Sequence, residues 1–130
     1  YAQPYGNRFL TATENGRETA DGFNHEYALC FLLDNGLAIV SSCSHHGAMN
    51  IIEACRRFTG IGKVKAFVGG LHFVDSDETE REVRQFLTDK QQVAPETVFY
   101  TGHCTSDKAK RLLTQCPEIR FFHTGTIINL

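Results

Sequence analysis

Apolar positions along this 130-residue chain fall into short blocks whose spacing alternates between strand-like and helix-like. Tyr27 to Leu33 is apolar throughout and predicts a strand. Asp34-Asn35-Gly36 then interrupts, and Leu37 to Ser41 resumes. Two apolar runs around an Asn-Gly predict a hairpin, because both turn residues tolerate positive φ. Ala48, Ile51, Ile52, Cys55 and Phe58 recur at helical spacing and predict a helix from about Gly47 to Thr59. Arg56 and Arg57 suit its C-terminal end, and Gly60 and Gly62 stop it. Val64 to Val68 reads as a short buried strand ending in Gly69-Gly70. Asp77 with Glu80 forms a capping box and predicts a second helix that turns Val83, Phe86 and Leu87 inward. Thr97 to Tyr100 is a further strand. A third helix begins near Ser106-Asp107, buries Ala109, Leu112 and Leu113, and stops before Pro117. Ile119 to Phe122 and Thr126 to Leu130 read as closing strands. Residues 1–24 are rich in Gly, Asn, Thr and Glu with weak periodicity, and read as an extended leading segment or a surface loop.

The order is hairpin, helix, strand, helix, strand, helix, strand. It predicts an α/β fold, a mixed sheet with helices on one face. The other face then lacks cover within this chain, and a missing segment, a second copy or another protein has to bury it.

Composition narrows the picture. Hydrophobic residues make up 42% of the chain, enough for a packed core, and the net charge of −2 argues against nucleic acid or an anionic membrane as the main partner. No run of about 18 apolar residues offers a membrane span. The beginning, Tyr1-Ala2-Gln3-Pro4-Tyr5, is not a secretory signal and lacks an initiator methionine, which predicts a processed or excised piece. Five cysteines without a CxxC spacing fit reduced thiols in a cytoplasmic protein, with Cys30 and Cys55 as small core hydrophobes.

The candidate chemistry lies in three turn-like segments at predicted strand ends: Cys43-Ser44-His45-His46-Gly47, Gly69-Gly70-Leu71-His72-Phe73 and Thr101-Gly102-His103-Cys104-Thr105. Ligand sites in α/β proteins gather at such ends, and three imidazoles converging there can hold a transition metal. Two of the histidines have a plainer reading too. His45 is equally an exposed residue at a helix start, and His72 a ring packed over a strand end. His46 is expected to face solvent. Asp75 and Asp77 are nearby carboxylates that compete with His72 for the ligand role. Cys104 beside His103 invites a thiol-nucleophile reading, but sequence neighbours diverge and seldom form such a pair. His25 and His123 have no comparable setting.

These segments, together with Glu26-Tyr27-Ala28-Leu29, Gly36-Leu37 and Asn50-Ile51, make the chain resemble the C-terminal half of metallo-β-lactamase-fold hydrolases over nearly its whole length. Its greatest likeness is to the group of the dihydropterin/β-ribofuranosylaminobenzene-phosphate synthase. The resemblance implies that residues 1–130 are the C-terminal portion of such a domain, half of a four-layer αββα sandwich. It implies a metal centre of one or two ions, usually zinc and sometimes iron or manganese. It makes His45 and His103 metal ligands, and His72 a ligand or a substrate contact near where many relatives place a bridging aspartate. The family's H-x-H-x-D-H stretch is absent, and Ser42 stands where glycine commonly precedes Cys-Ser-His.

The implied function is metal-dependent hydrolysis of a small phosphorylated or ester-type metabolite, with this chain supplying only the C-terminal metal ligands. No catalytic acid or base is assignable within it. The expected partners are a small-molecule substrate and the N-terminal half of the same protein or a second copy. The alternative is a catalytically inactive half-domain that self-associates, or binds a partner, through its open sheet face.

Overall fold

A computed structural model describes residues 1–130. After a 3-10 turn at Tyr5–Phe9, strands β1 (Thr11–Glu14) and β2 (Arg17–Ala20) pair antiparallel, with Glu14 opposite Arg17. Part of the segment read as a leading loop is therefore a hairpin. Its turn is Asn15-Gly16, with φ of 52° and 75°, the conformation a two-residue hairpin favours. Both strands are largely exposed and have no alternation of apolar residues, which is why periodicity does not find them.

Strands β3 (Ala28–Leu33) and β4 (Gly36–Ser41) form the expected hairpin. Leu33 pairs with Gly36, so the turn residues are Asp34 and Asn35, one position earlier than the Asn-Gly signal suggests. The chain continues through α1 (Ala48–Thr59), β5 (Val64–Val68), α2 (Thr79–Val93), β6 (Val98–Thr101), α3 (Asp107–Leu113) and β7 (Ile119–Phe121). The five-stranded sheet runs β3-β4-β5-β6-β7, antiparallel only between β3 and β4. Three successive parallel crossovers advance in one direction, and crossovers of uniform handedness stack their helices on one face.

Two adjacent rows across the sheet show the consequence. Cys30, Ile39, Phe67, Phe99 and Ile119 lie in register on the helix side. All but Cys30 are buried there in one cluster with Ile52, Cys55, Val83, Phe86, Ala109 and Leu113 from the helices, and Cys30 packs against it. Burial raises the Cys55 thiol to about 12, with help from the neighbouring Cys30 thiol, so both behave as core residues. The next row is Leu29, Val40, Val68, Tyr100 and Arg120, on the opposite face. There Leu29 is 60% and Phe31 52% exposed, and nothing in this chain covers them. No helix is long and apolar enough to cross a membrane.

Three local expectations fail. Asp77 is exposed and does not cap α2, which begins two residues later. Thr79 organises the start instead, its hydroxyl donating to Val74 O at 2.8 Å and accepting from Ser76 N at 2.9 Å. Phe58, on the margin of the α1 apolar stripe, is 89% exposed. Thr126 to Leu130 forms no strand, and Ile127 and Leu130 are exposed: β propensity without a pairing partner makes no strand.

Candidate metal centre

The C-terminal ends of β4, β5 and β6 bring the three histidine-bearing loops to one rim. Gly70 lets them close. A Cβ there would meet His103 O at 2.7 Å and Ser42 O at 2.9 Å, and Gly70 N already donates to Ser42 O at 2.7 Å. Each loop also holds one non-glycine residue at positive φ: Ser44 (61°), His72 (50°) and Cys104 (47°). Such conformations persist only where the surrounding structure enforces them, and they gather at functional sites.

His45 is fixed from three sides. Its ring stacks on Phe23 at 4.2 Å, with 7° between planes. Asn7 Nδ2 donates to His45 O at 2.7 Å, which leaves Asn7 Oδ1 to accept from His45 Nδ1 at 3.1 Å. A proton on Nδ1 leaves Nε2 with a free lone pair, the form in which imidazole binds metal. The turn itself is held by Glu26, whose two carboxylate oxygens accept from His45 N (2.7 Å) and His46 N (2.9 Å). His46, expected to face solvent, is half-buried and donates through Nε2 to Phe23 O at 3.1 Å.

His72 packs against His45 with ring centroids 4.2 Å apart. It is 7% exposed, and neither ring nitrogen makes a well-formed hydrogen bond, the Gly6 backbone alone lying close enough to oppose the lowering of its pKa. Gly6 lies directly over the ring, where a Cβ would come within 2.8 Å of Nε2. Burial, and then the neighbouring His45, lower the His72 pKa. Burial also lowers that of His45, against the opposing pull of Glu26 and Asp21. Burial thus favours the neutral form of both rings. Asp75 and Asp77 are exposed.

His103 has different company. Its Nε2 is 3.1 Å from Cys43 Sγ, which is 3.4 Å from Cys104 Sγ, and the three donor atoms lie within 4.8 Å of one another. The thiol against His103 is therefore that of Cys43, not of adjacent Cys104. Burial, then the Cys104 thiol, raise Cys43 to about 11, the reverse of an activated nucleophile. His103 is close enough to affect the titration of His72. The three histidines thus share one rim as two groups: His45 with His72, and His103 with two cysteines.

The model superposes on Tm1679, a metal-dependent hydrolase of the β-lactamase superfamily, with a TM-score of 0.79 over 92% of this chain and 46% of that one, at 22% identity. The fold is half of a metallo-β-lactamase sandwich. Sequence supports the relationship. The chain is 35% identical over 122 residues to the 7,8-dihydropterin-6-methyl-4-(β-D-ribofuranosyl)-aminobenzene-5′-phosphate synthase of Methanocaldococcus jannaschii, covering 92% of this chain and 40% of that enzyme. It is 27% identical over 119 residues to a protein of unassigned function from the same organism, covering 90% and 41%. The chain thus spans about two fifths of the length of the curated relatives it matches. No protein-family model matches it.

Several residues at the site escape a reading based on motifs. Gly6, Asn7 and Phe23 come from the segment read as a leading loop, yet they cover or orient His45 and His72. No local pattern marks them, since each acts through a contact with a distant loop. Cys43 and Glu26 stand inside the recognised segments, but their roles depend on partners 60 and 19 residues away along the chain.

Proposed function

We propose that this chain supplies the C-terminal metal ligands of a metal-dependent hydrolase acting on a small phosphorylated or ester-type metabolite. In this reading His45 and His103 bind metal, and His72 binds metal or orients substrate. The observation that carries it is His72: a buried imidazole whose nitrogens make no well-formed hydrogen bond, packed on a second imidazole. Buried polar groups without partners are rare and expensive unless a ligand satisfies them. The donor set of imidazoles and thiols suits zinc, with iron a second candidate and manganese a poorer one. His45 and His103 would hold an ion whose chemistry, when bound, would be to polarise the scissile bond and lower the pKa of water. The protein's part is to hold the His45 ring between Phe23 and His72, fix its tautomer through Asn7, and keep its loop seated on Glu26. The likeness to a metal-dependent hydrolase and to a phosphate-ester synthase supports both the metal and the substrate class. Five free thiols support a cytoplasmic setting.

The remaining ligands would come from an N-terminal half carrying H-x-H-x-D-H, seated on the open sheet face. In the complete protein, His45→Ala and His103→Ala should each lower bound metal, measured by elemental analysis after dialysis; unchanged metal in both would remove these assignments. Residues 1–130 alone should not turn over a generic phosphodiester, and chelator-sensitive turnover by them would refute the division of the site. The exposed Leu29 and Phe31 favour a second reading, an inactive half-domain that covers this face by self-association. Zinc-free, inactive dimers would put it ahead of the first.

A further inference from the structure

We propose that Cys43 and Cys104 are thiolate ligands of the ion bound by His103, so that this end of the rim is a sulfur-containing centre selective for zinc-like cations. The inference rests on the metal reading above and deepens it. A tetrahedral zinc, with Zn–S of about 2.3 Å and Zn–N of about 2.0 Å, sets its sulfurs roughly 3.8 Å apart and each nitrogen roughly 3.5 Å from a sulfur. The corresponding separations here are 3.4 Å for Cys43 Sγ to Cys104 Sγ and 3.1 Å for Cys43 Sγ to His103 Nε2. Both fall short by less than half an ångström, and the third pair lies within 4.8 Å, so an ion entering the triangle needs only modest side-chain adjustment.

The backbone favours this use. Cys104 is itself at positive φ, and Cys43 precedes Ser44, also at positive φ. The two sulfurs come from different loops, one after β4 and one after β6, and meet because Gly70 lets those loops close. One ion would clamp the loops together at the point where the strained residues sit. Both cysteines are half-buried and His103 is exposed, which leaves room for a further ligand or substrate on the open side, as catalytic zinc sites require. Thiolate donors favour zinc and cobalt(II) over manganese or magnesium, so the sulfur pair sets which ion is retained.

The test is a cobalt(II) titration of the complete protein, reduced and stripped of metal, with binding followed by equilibrium dialysis and by absorption. The expected result is an intense sulfur-to-cobalt charge-transfer band in the near ultraviolet. It should fall to about half in Cys43→Ser and in Cys104→Ser, as removal of one of two thiolates requires, and stay unchanged in Cys116→Ser. Circular dichroism confirms that each variant is folded, and the parent protein's spectrum is decisive without them. Cobalt bound with weak visible bands and no charge-transfer band overturns the inference and leaves the metal centre standing. No bound cobalt overturns both.

Discussion

The helix-covered core and the loop rim differ in how fully they satisfy themselves. In the core, Phe67, Phe99 and Phe86 pack at 5.3–5.4 Å within an apolar cluster, and the helices' own unpartnered atoms, Arg56 Nε and Glu82 Oε2, belong to none of its residues. On the rim, within a few residues of the same strands, three non-glycine residues hold positive φ and a buried imidazole makes no well-formed hydrogen bond. Tight packing behind the rim lets the rim stay strained, because a small local cost cannot unfold a well-filled core. The contrast teaches that this fold's stability and its chemistry are kept in different places.

The largest test of that division is Phe99→Ala. Phe99 is fully buried in the inner row, and its truncation should cost about 3–5 kcal/mol in denaturant unfolding. A loss near zero would mean the core is not where the stability lies. His72→Leu should behave differently. Relief of the buried ring nitrogens and the strain of leucine at positive φ oppose each other, so the stability of the metal-free protein should change by no more than about 1 kcal/mol while metal binding weakens. This variant also sharpens the pH response. Burial holds His72 and His45 below the usual histidine value of 6.5, so as pH falls below 6.5 the unfolded chain takes up protons before the native one. Stability is therefore full above pH 6.5 and is lost as pH falls through the window beneath it. Melting curves across that range should fall less steeply for His72→Leu than for the parent. The smallest effect belongs to the uncovered face: Phe31→Ala should change the stability of residues 1–130 by no more than about 0.5 kcal/mol, since half of the ring is already in water. A large loss there would show that a second copy already covers it.

The sheet and its helices were legible because their apolar spacing is dictated by the same rows that fill the core: Ile39, Phe67 and Phe99 announce themselves as strand centres. The three loops were legible for a related reason, since each follows such a strand. The contents of the site were less so. That His45 and His72 touch, and that His103 lies against Cys43, is decided by loop closure over Gly70, which no spacing encodes. The hairpin at Asn15-Gly16 carried a clear turn signal in a stretch without apolar alternation, and the missing alternation outweighed it. The capping box at Asp77 failed because Thr79, tied to Val74 and Ser76, starts the helix later.

Glu26 has a consequence for anything negatively charged that approaches the rim. Consecutive amides at a turn before a helix are a ready receptor for phosphate. Here the pair at His45 and His46 is already taken by the chain's own acid. In the proposed function, a phosphoryl group approaching this rim would find that seat filled and a resident negative charge beside it, and would have to be bound by other groups. Glu26 thereby acts as a built-in decoy that directs anions away from this turn.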